Sequence, residues 1–258
     1  MTIGFEGARE GDVPGGCRST GPVGVAAFAD TVRRRPILTV AMLTALVSAL
    51  ALVFPHWDRE VAALFFRPSE GFAAARSEPL LLLRAVGRQA WVVAIVLAVA
   101  GAAVKIVRSR RARIPTLRRA VFLATSLALG PGLIVNLVLK EGWGRPRPRD
   151  VLDFGGDLAF VPAWIPGGGC PTNCSFPSGE ASSAMWLVAF VFVVPRAWRP
   201  FVLVASLAAA MAVSVNRMAF GGHFLSDVAI GWGLVVLVVL VCRVAFLRRP
   251  LPWVRIGE

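Results

Sequence analysis

Three short polar clusters interrupt a greasy chain of 258 residues, and their residue types suit the handling of phosphate. The first is Lys140-Glu141-Gly142-Trp143-Gly144-Arg145-Pro146-Arg147-Pro148. The second is Pro177-Ser178-Gly179-Glu180, and the third runs from Asn216-Arg217 to His223 and Asp227. A point-charge ammonium on Lys140 and a forked guanidinium on Arg147 match the several oxygens of a phosphate. Pro146 and Pro148 bracket Arg147 and restrict its backbone. The same cations at a helix end could also simply snorkel toward water. Ser178 is a good N-cap, a helix N-terminus attracts anions, and Gly179 allows close backbone approach to a ligand. Plain capping, with Glu180 complementing the helix dipole, fits those residues too. Arg217, His223 and Asp227 lie around one turn. His and Asp four residues apart share a face if the turn is helical. A carboxylate accepting from one ring nitrogen would fix the tautomer and leave the other nitrogen free to attack.

The elements that must position these clusters are membrane helices. The chain is 56% hydrophobic and 17% charged, with mean hydropathy +0.68. Six apolar runs, at about 36–55, 90–107, 119–139, 180–195, 201–216 and 227–247, approach the ~20 residues a spanning helix needs. A net charge of +13 would suggest nucleic acid in a soluble protein, but here the basic residues flank the apolar runs. Arg33, Arg34 and Arg35 precede the first; Lys105, Arg108, Arg110, Arg111, Arg113, Arg118 and Arg119 separate the second from the third. Arg196 and Arg199 follow the fourth, and Arg243, Arg248 and Arg249 end the last. By the positive-inside rule these ends are cytoplasmic. The expectation is a multi-pass plasma-membrane protein with both termini inside. Its loops 56–89, 140–179 and 217–226, and so all three clusters, then face the outer, periplasmic side.

Residues 1–31 read as a disordered Gly-rich cytoplasmic tail with no signal-peptide pattern, and 251–258 as a second cytoplasmic tail. In the first outer loop, Val61, Leu64 and Phe65 recur at helical spacing, so a short helix could lie in the interface plane. Trp143 and Trp164 suit a membrane boundary. Cys170 and Cys174 sit together in the second outer loop, where an oxidising compartment permits a disulfide; free thiols fit as well. Two Cys without a nearby His are too few ligands for zinc.

Taken together, the clusters resemble the type-2 phosphatidic acid phosphatase superfamily. That family's pattern is Lys, six residues, Arg-Pro; then Pro-Ser-Gly-His; then Ser-Arg, five residues, His, three residues, Asp. Lys140 with Arg147-Pro148 matches the first motif, Pro177-Ser178-Gly179 the second up to its last position, and Arg217, His223 and Asp227 the third. The resemblance implies an all-α bundle of six transmembrane helices over 32–250 with an outer-face active site. It also implies hydrolysis of a lipid phosphomonoester or pyrophosphate (lipid A, undecaprenyl pyrophosphate, phosphatidylglycerophosphate or phosphatidate) through a phosphohistidine. In that scheme His223 is the nucleophile and Asp227 orients it. Lys140, Arg147, Arg217, Ser178 and the Gly179 N–H hold the phosphoryl oxygens, and neither a metal nor another cofactor is needed. The partners are the lipid substrate and the bilayer, not nucleic acid.

Two positions depart from the pattern. Asn216 replaces Ser, and both can hydrogen-bond. Glu180 replaces the His that protonates the leaving oxygen, so Glu180 is expected to serve as general acid or as base for water. The Glu variant and the Cys-Pro-Thr-Asn-Cys segment look most like lipid A phosphatase-type members. A phosphotransferase, or a silent lipid-phosphate binder or translocator in which Glu180 marks lost acid catalysis, are the competing readings.

Overall fold

Backbone N–H and C=O groups surrounded by hydrocarbon must find their partners within the segment, and the apolar runs accordingly fold as helices. The computed structural model describes residues 34–108 and 113–248. The two terminal tails expected from sequence fall outside these residues, apart from the end of the stretch before the first helix. The elements are α1 (Pro36–Val53), α2 (His56–Ala63), α3 (Glu78–Arg108), α4 (Arg113–Leu127), α5 (Gly179–Trp186), α6 (Arg199–Ala219) and α7 (Leu225–Arg243). α4 continues as a wider π-type helix over Ala128–Lys140, α5 tightens into a 3-10 turn over Leu187–Phe192, and α7 ends in a π-type turn over Val244–Arg248. Among the described residues there is no strand, only the isolated bridges Arg67–Gly71 and Val151–Leu158.

Among the described residues, four helical stretches are long and apolar enough to cross a membrane: Pro36–Val53, Thr116–Asp150, Arg196–Ala219 and Leu225–Leu247. They match the first, third, fifth and sixth expected spans. The fourth expected span is helical only over Gly179–Phe192. It is short because its N-terminus starts inside the bundle, where Ser178, Ala181 and Ser182 are fully buried. The second differs in the other direction. Residues 78–89, expected as outer loop, are the first turns of the 31-residue α3, about 46 Å long at ~1.5 Å per residue. Arg84 and Arg88 make this stretch look like a loop to a hydropathy reading, yet neither breaks a helix.

The spanning helices are apolar outward and partly polar inward. α1 exposes Leu38, Met42, Leu43 and Leu46 and buries only Thr39 and Thr44, with the Thr44 hydroxyl donating to the Val40 carbonyl at 2.7 Å. This is the inversion expected where lipid is the solvent and helix contacts depend on close packing and interhelical polar groups. The central core joins Phe122 and Val135 of α4 and its continuation, Trp186 of α5, and Val235 and Val239 of α7. The Trp186 indole N–H donates to the Ser126 hydroxyl at 3.0 Å, so the largest core side chain is satisfied as well as buried.

Outside the spans, α2 forms where a short amphipathic helix was expected, but its inward face is Asp58 and Ala62, while Leu64 is 80% exposed. The segment 140–179 folds back over the bundle through short helical turns at Pro148–Asp150 and Leu152–Phe154. Trp143 and Trp164, expected at a membrane boundary, pack edge-on against each other, and both pack against Phe176. Trp186→Ala should remove this core's keystone and its hydrogen bond to Ser126, costing about 3–5 kcal/mol. A thermal melt in detergent checks it: a melting temperature equal to wild type would refute the packing argument.

Candidate active site

The fold closes the three clusters into one place by backbone hydrogen bonds that join each to the others. The Arg149 N–H donates to the Gly221 carbonyl at 3.1 Å, tying the first cluster to the third. The Ser175 N–H donates to the Arg145 carbonyl at 2.8 Å, and the Ser178 N–H to the Asp227 carbonyl at 3.1 Å. Lys140 ends the π-type stretch, Arg147 lies in the loop after it, Ser178 caps α5, Arg217 ends α6, and His223 precedes α7. Arg147, Ser178, Arg217, His223 and Asp227 are all buried.

His223 does not share a helical face with Asp227. It lies before the first turn of α7, whose N-terminal Phe224 N–H donates to the Asp227 carboxylate at 2.7 Å. Its Nδ1 lies 2.7 Å from the Ser175 carbonyl oxygen and 3.9 Å from the nearest Asp227 oxygen. A carbonyl only accepts, so Nδ1 carries the proton and Nε2 keeps its lone pair. The tautomer expected from the His-Asp spacing is thus held by a backbone group, with Asp227 one step behind it. Asp227 also accepts from the Ser175 hydroxyl, so it braces the residue that orients the ring.

Burial, followed by the charges of Lys140, Arg217 and Arg147, pushes the His223 imidazole well below its ordinary 6.5; the Ser175 carbonyl opposes this. Three cations acting on one neutral ring are a suitable surrounding for a dianionic phosphate.

Behind the histidine lies a buried ionic cluster centred on Arg145, to which the sequence reading gave no role. Its Nη1 donates to Asp227 and, at 2.9 Å, to the Ser226 hydroxyl; Nη2 donates to Asp58 at 2.7 Å and Nε to the Val161 carbonyl at 2.8 Å. Asp58 accepts in addition from the Ser226 N–H at 2.9 Å and from its hydroxyl. Arg145 and Asp227 are 0% exposed and Asp58 4%. One signal in the sequence pointed here: a second Arg-Pro pair just before Arg147-Pro148.

Arg147 spends two donors on the loop: Nε and Nη2 both reach the Asn173 carbonyl, at 3.0 and 2.6 Å. Cys170 and Cys174 are disulfide-bonded with Cα atoms 5.8 Å apart, closing the short loop that presents this carbonyl. Ser178 caps α5 by accepting from the Ala181 N–H at 3.4 Å. A Cβ on Gly179 would lie 2.3 Å from Asn136 Oδ1, so what this glycine admits closely is the Asn136 side chain. Gly222 is required for a similar reason: a Cβ there would meet the Arg217 guanidinium at 2.5 Å. Glu180 lies 3.6 Å from Arg217 Nε and 3.4 Å from Arg84 Nη2, a cation of α3 absent from the motif reading.

A family model described as the PAP2 superfamily matches residues 119–250. A lipid A 4'-phosphatase of Rhizobium leguminosarum is 47% identical over 118 residues, which cover 45% of this chain and 51% of that protein. The chain thus spans about half the length of that curated relative. A lipid A 1-phosphatase of Rhizobium etli is 29% identical over 232 residues, covering 84% of this chain and 92% of the relative. The crystal structure of a transmembrane PAP2-type phosphatidylglycerolphosphate phosphatase from Bacillus subtilis superposes with a TM-score of 0.53. That match is 18% identical over 80% of this chain and 94% of the other, and it shows the helical fold alone.

Two measurements follow from the geometry. In a His56→Gln background, which leaves one histidine, NMR of the ring should show His223 still neutral at pH 6. Lys140→Met should then raise its titration point, and a ring already charged at pH 6.5 would contradict the electrostatics. Because the unfolded imidazole takes up its proton at higher pH than the folded one, stability should fall as pH drops below 6.5. Separately, Cys170→Ser/Cys174→Ser loosens the carbonyl that holds Arg147. It should raise the KM for a phosphorylated substrate by about tenfold, with a smaller change in kcat; an unchanged KM would mean that the loop does not hold Arg147.

Proposed function

The chain belongs to the PAP2 superfamily, and from that premise we propose that it is an integral membrane lipid phosphatase working through a phosphohistidine. The observation that carries this reading is the surrounding of His223. Its Nδ1 proton is committed to a carbonyl, its Nε2 is free, and three cations act on the ring.

In the first step Nε2 attacks phosphorus, the bond from phosphorus to the lipid oxygen breaks, and that oxygen leaves with a proton. In the second, water attacks the phosphohistidine, the P–N bond breaks, and phosphate and neutral imidazole are released. Lys140, Arg147 and Arg217, with the Ser178 hydroxyl and the Gly179 N–H, hold the phosphoryl oxygens and spread the charge of the transition state. Asp227 positions the histidine through Ser175. Glu180 is the proton-transfer group, giving a proton to the leaving oxygen or taking one from the attacking water.

The substrate we assign is a lipid A phosphate. The names of the relatives support it, one acting at the 4' phosphate and another at the 1 phosphate, as does Glu180 in place of His. The phosphatase domain is 32–250 with six spans. The distribution of Arg and Lys along the chain supports cytoplasmic termini and an outer-leaflet site.

Purified protein in detergent should release phosphate from lipid A in preference to undecaprenyl pyrophosphate, phosphatidylglycerophosphate and phosphatidate, with His223→Ala as blank. Radiolabelled substrate should leave an acid-labile phosphohistidine on wild type and none on His223→Ala. Glu180→Gln should lower turnover by about 100-fold, the usual worth of one general acid or base. Phosphohistidine accumulating in that variant identifies Glu180 as the base of the second step; its failure to form identifies the acid of the first. No release from any lipid would overturn the enzyme reading, and full turnover by Glu180→Gln would remove Glu180 from the chemistry.

A further inference from the structure

We propose that Arg84 is an additional phosphate ligand, and that Glu180 competes with the substrate's phosphoryl group for Arg84 and Arg217. The inference rests on the phosphatase reading above and adds a binding residue that lies outside the three clusters.

α3 places Arg84 by packing rather than by chance of a flexible side chain. The Asn216 amide donates to the Leu80 carbonyl at 3.0 Å, one turn before Arg84. Gly87, three residues after it, is so close to α6 that a Cβ would lie 2.8 Å from Val213 Cγ2. Leu80, Arg84 and Gly87 follow the i, i+4, i+7 spacing of one helix face, and that face is pressed against α6. Asn216, which stands in the motif where Ser was expected, is therefore an anchor for the helix that carries Arg84.

One oxygen of Glu180 sits between two guanidinium groups, 3.4 Å from Arg84 Nη2 and 3.6 Å from Arg217 Nε. It accepts one hydrogen bond, from Arg84 Nη2, and leaves other donors of the pair unmet. Arg84 Nε, Arg217 Nε and Arg217 Nη1 are buried donors without a hydrogen-bond acceptor, and the Arg217 side chain is only 1% exposed. Buried donors left unmade are costly, so this cluster is built for an acceptor with more oxygens than one carboxylate offers. A phosphoryl group supplies three. Arg147 cannot take the whole load, because its Nε and Nη2 are committed to the Asn173 carbonyl. Arg84 adds a fourth cation from α3 to Lys140, Arg147 and Arg217. The phosphoryl group must then draw the two arginines from Glu180, and the released carboxylate becomes free to transfer a proton at the moment substrate is bound.

Inorganic phosphate, titrated into the detergent-solubilised full chain by calorimetry, tests this without turnover. Removing the competing carboxylate in Glu180→Gln should tighten phosphate binding by about tenfold, and Arg84→Met should weaken it by a similar factor, with Arg84→Lys intermediate. The double variant Arg84→Met/Glu180→Gln should show less tightening than Glu180→Gln alone, since one of the freed donors is gone. An unchanged or weaker phosphate affinity in Glu180→Gln would overturn the competition, and unchanged affinity in Arg84→Met would overturn the ligand. If Arg84→Met fails to fold, Arg84→Lys and Glu180→Gln carry the same signs. The predicted shifts in a protein that hydrolyses no lipid would sink the phosphatase reading and leave this one standing. Hydrolysis with no shift in Glu180→Gln would do the reverse.

Discussion

The part of the molecule around His223 depends on one buried guanidinium. Arg145 lies between two carboxylates that are themselves out of water, Asp58 and Asp227, and every oxygen in the group has a donor from Arg145, a serine or a backbone N–H. A buried ion pair contributes little net stability when intact, but losing one partner strands the others without solvation. Without Arg145, two carboxylates would face each other in an apolar surrounding, under the rings of Phe224 and Phe160. The geometry is therefore all-or-none. The position of α2, the start of α7 and the Ser175 carbonyl that orients His223 are fixed together or not at all.

The cluster also explains how the site keeps opposite charges apart. Lys140, Arg147 and Arg217 act on the His223 ring, while Asp58 and Asp227 are paired with Arg145. The histidine is held neutral, with its Nδ1 proton given to the Ser175 carbonyl. Had Asp227 bonded the ring directly, its charge would have favoured the imidazolium, which has no lone pair to offer. The intervening serine carbonyl orients the ring with a dipole in place of a full charge.

Much of this could be read from the chain itself. Motif residues carry types and spacings that survive without a structure, and the structure brings Lys140, Arg147, Arg217 and His223 close together, with the Ser178 N–H bonded to the Asp227 carbonyl. What could not be read depends on residues whose role is set by distant partners. Asp58 sits in a short amphipathic stretch and looks like a surface charge; its acceptor role exists only because Ser226 and Arg145 arrive beside it. Arg84 reads as a loop cation because charge interrupts the hydropathy of α3, although a helix tolerates it. Gly179 suggested room for a ligand, and the space is taken by Asn136. The span boundaries failed for the same reason at α5. Its apolar run is short because the helix begins among buried polar groups rather than at the surface, and hydropathy cannot distinguish those cases.

The bonds from Ser226 to Asp58 join residues 168 apart in the chain. A nascent membrane protein is threaded in order, so α2 is laid down long before the partner that holds it exists. Until α7 arrives, Asp58 and Arg145 lack Ser226 and Asp227, and Arg145 has only Asp58 and the Val161 carbonyl to hold it. The cluster behind His223 is thus completed only once α7 has been added, and a chain cut short before α7 would lack both Ser226 and Asp227.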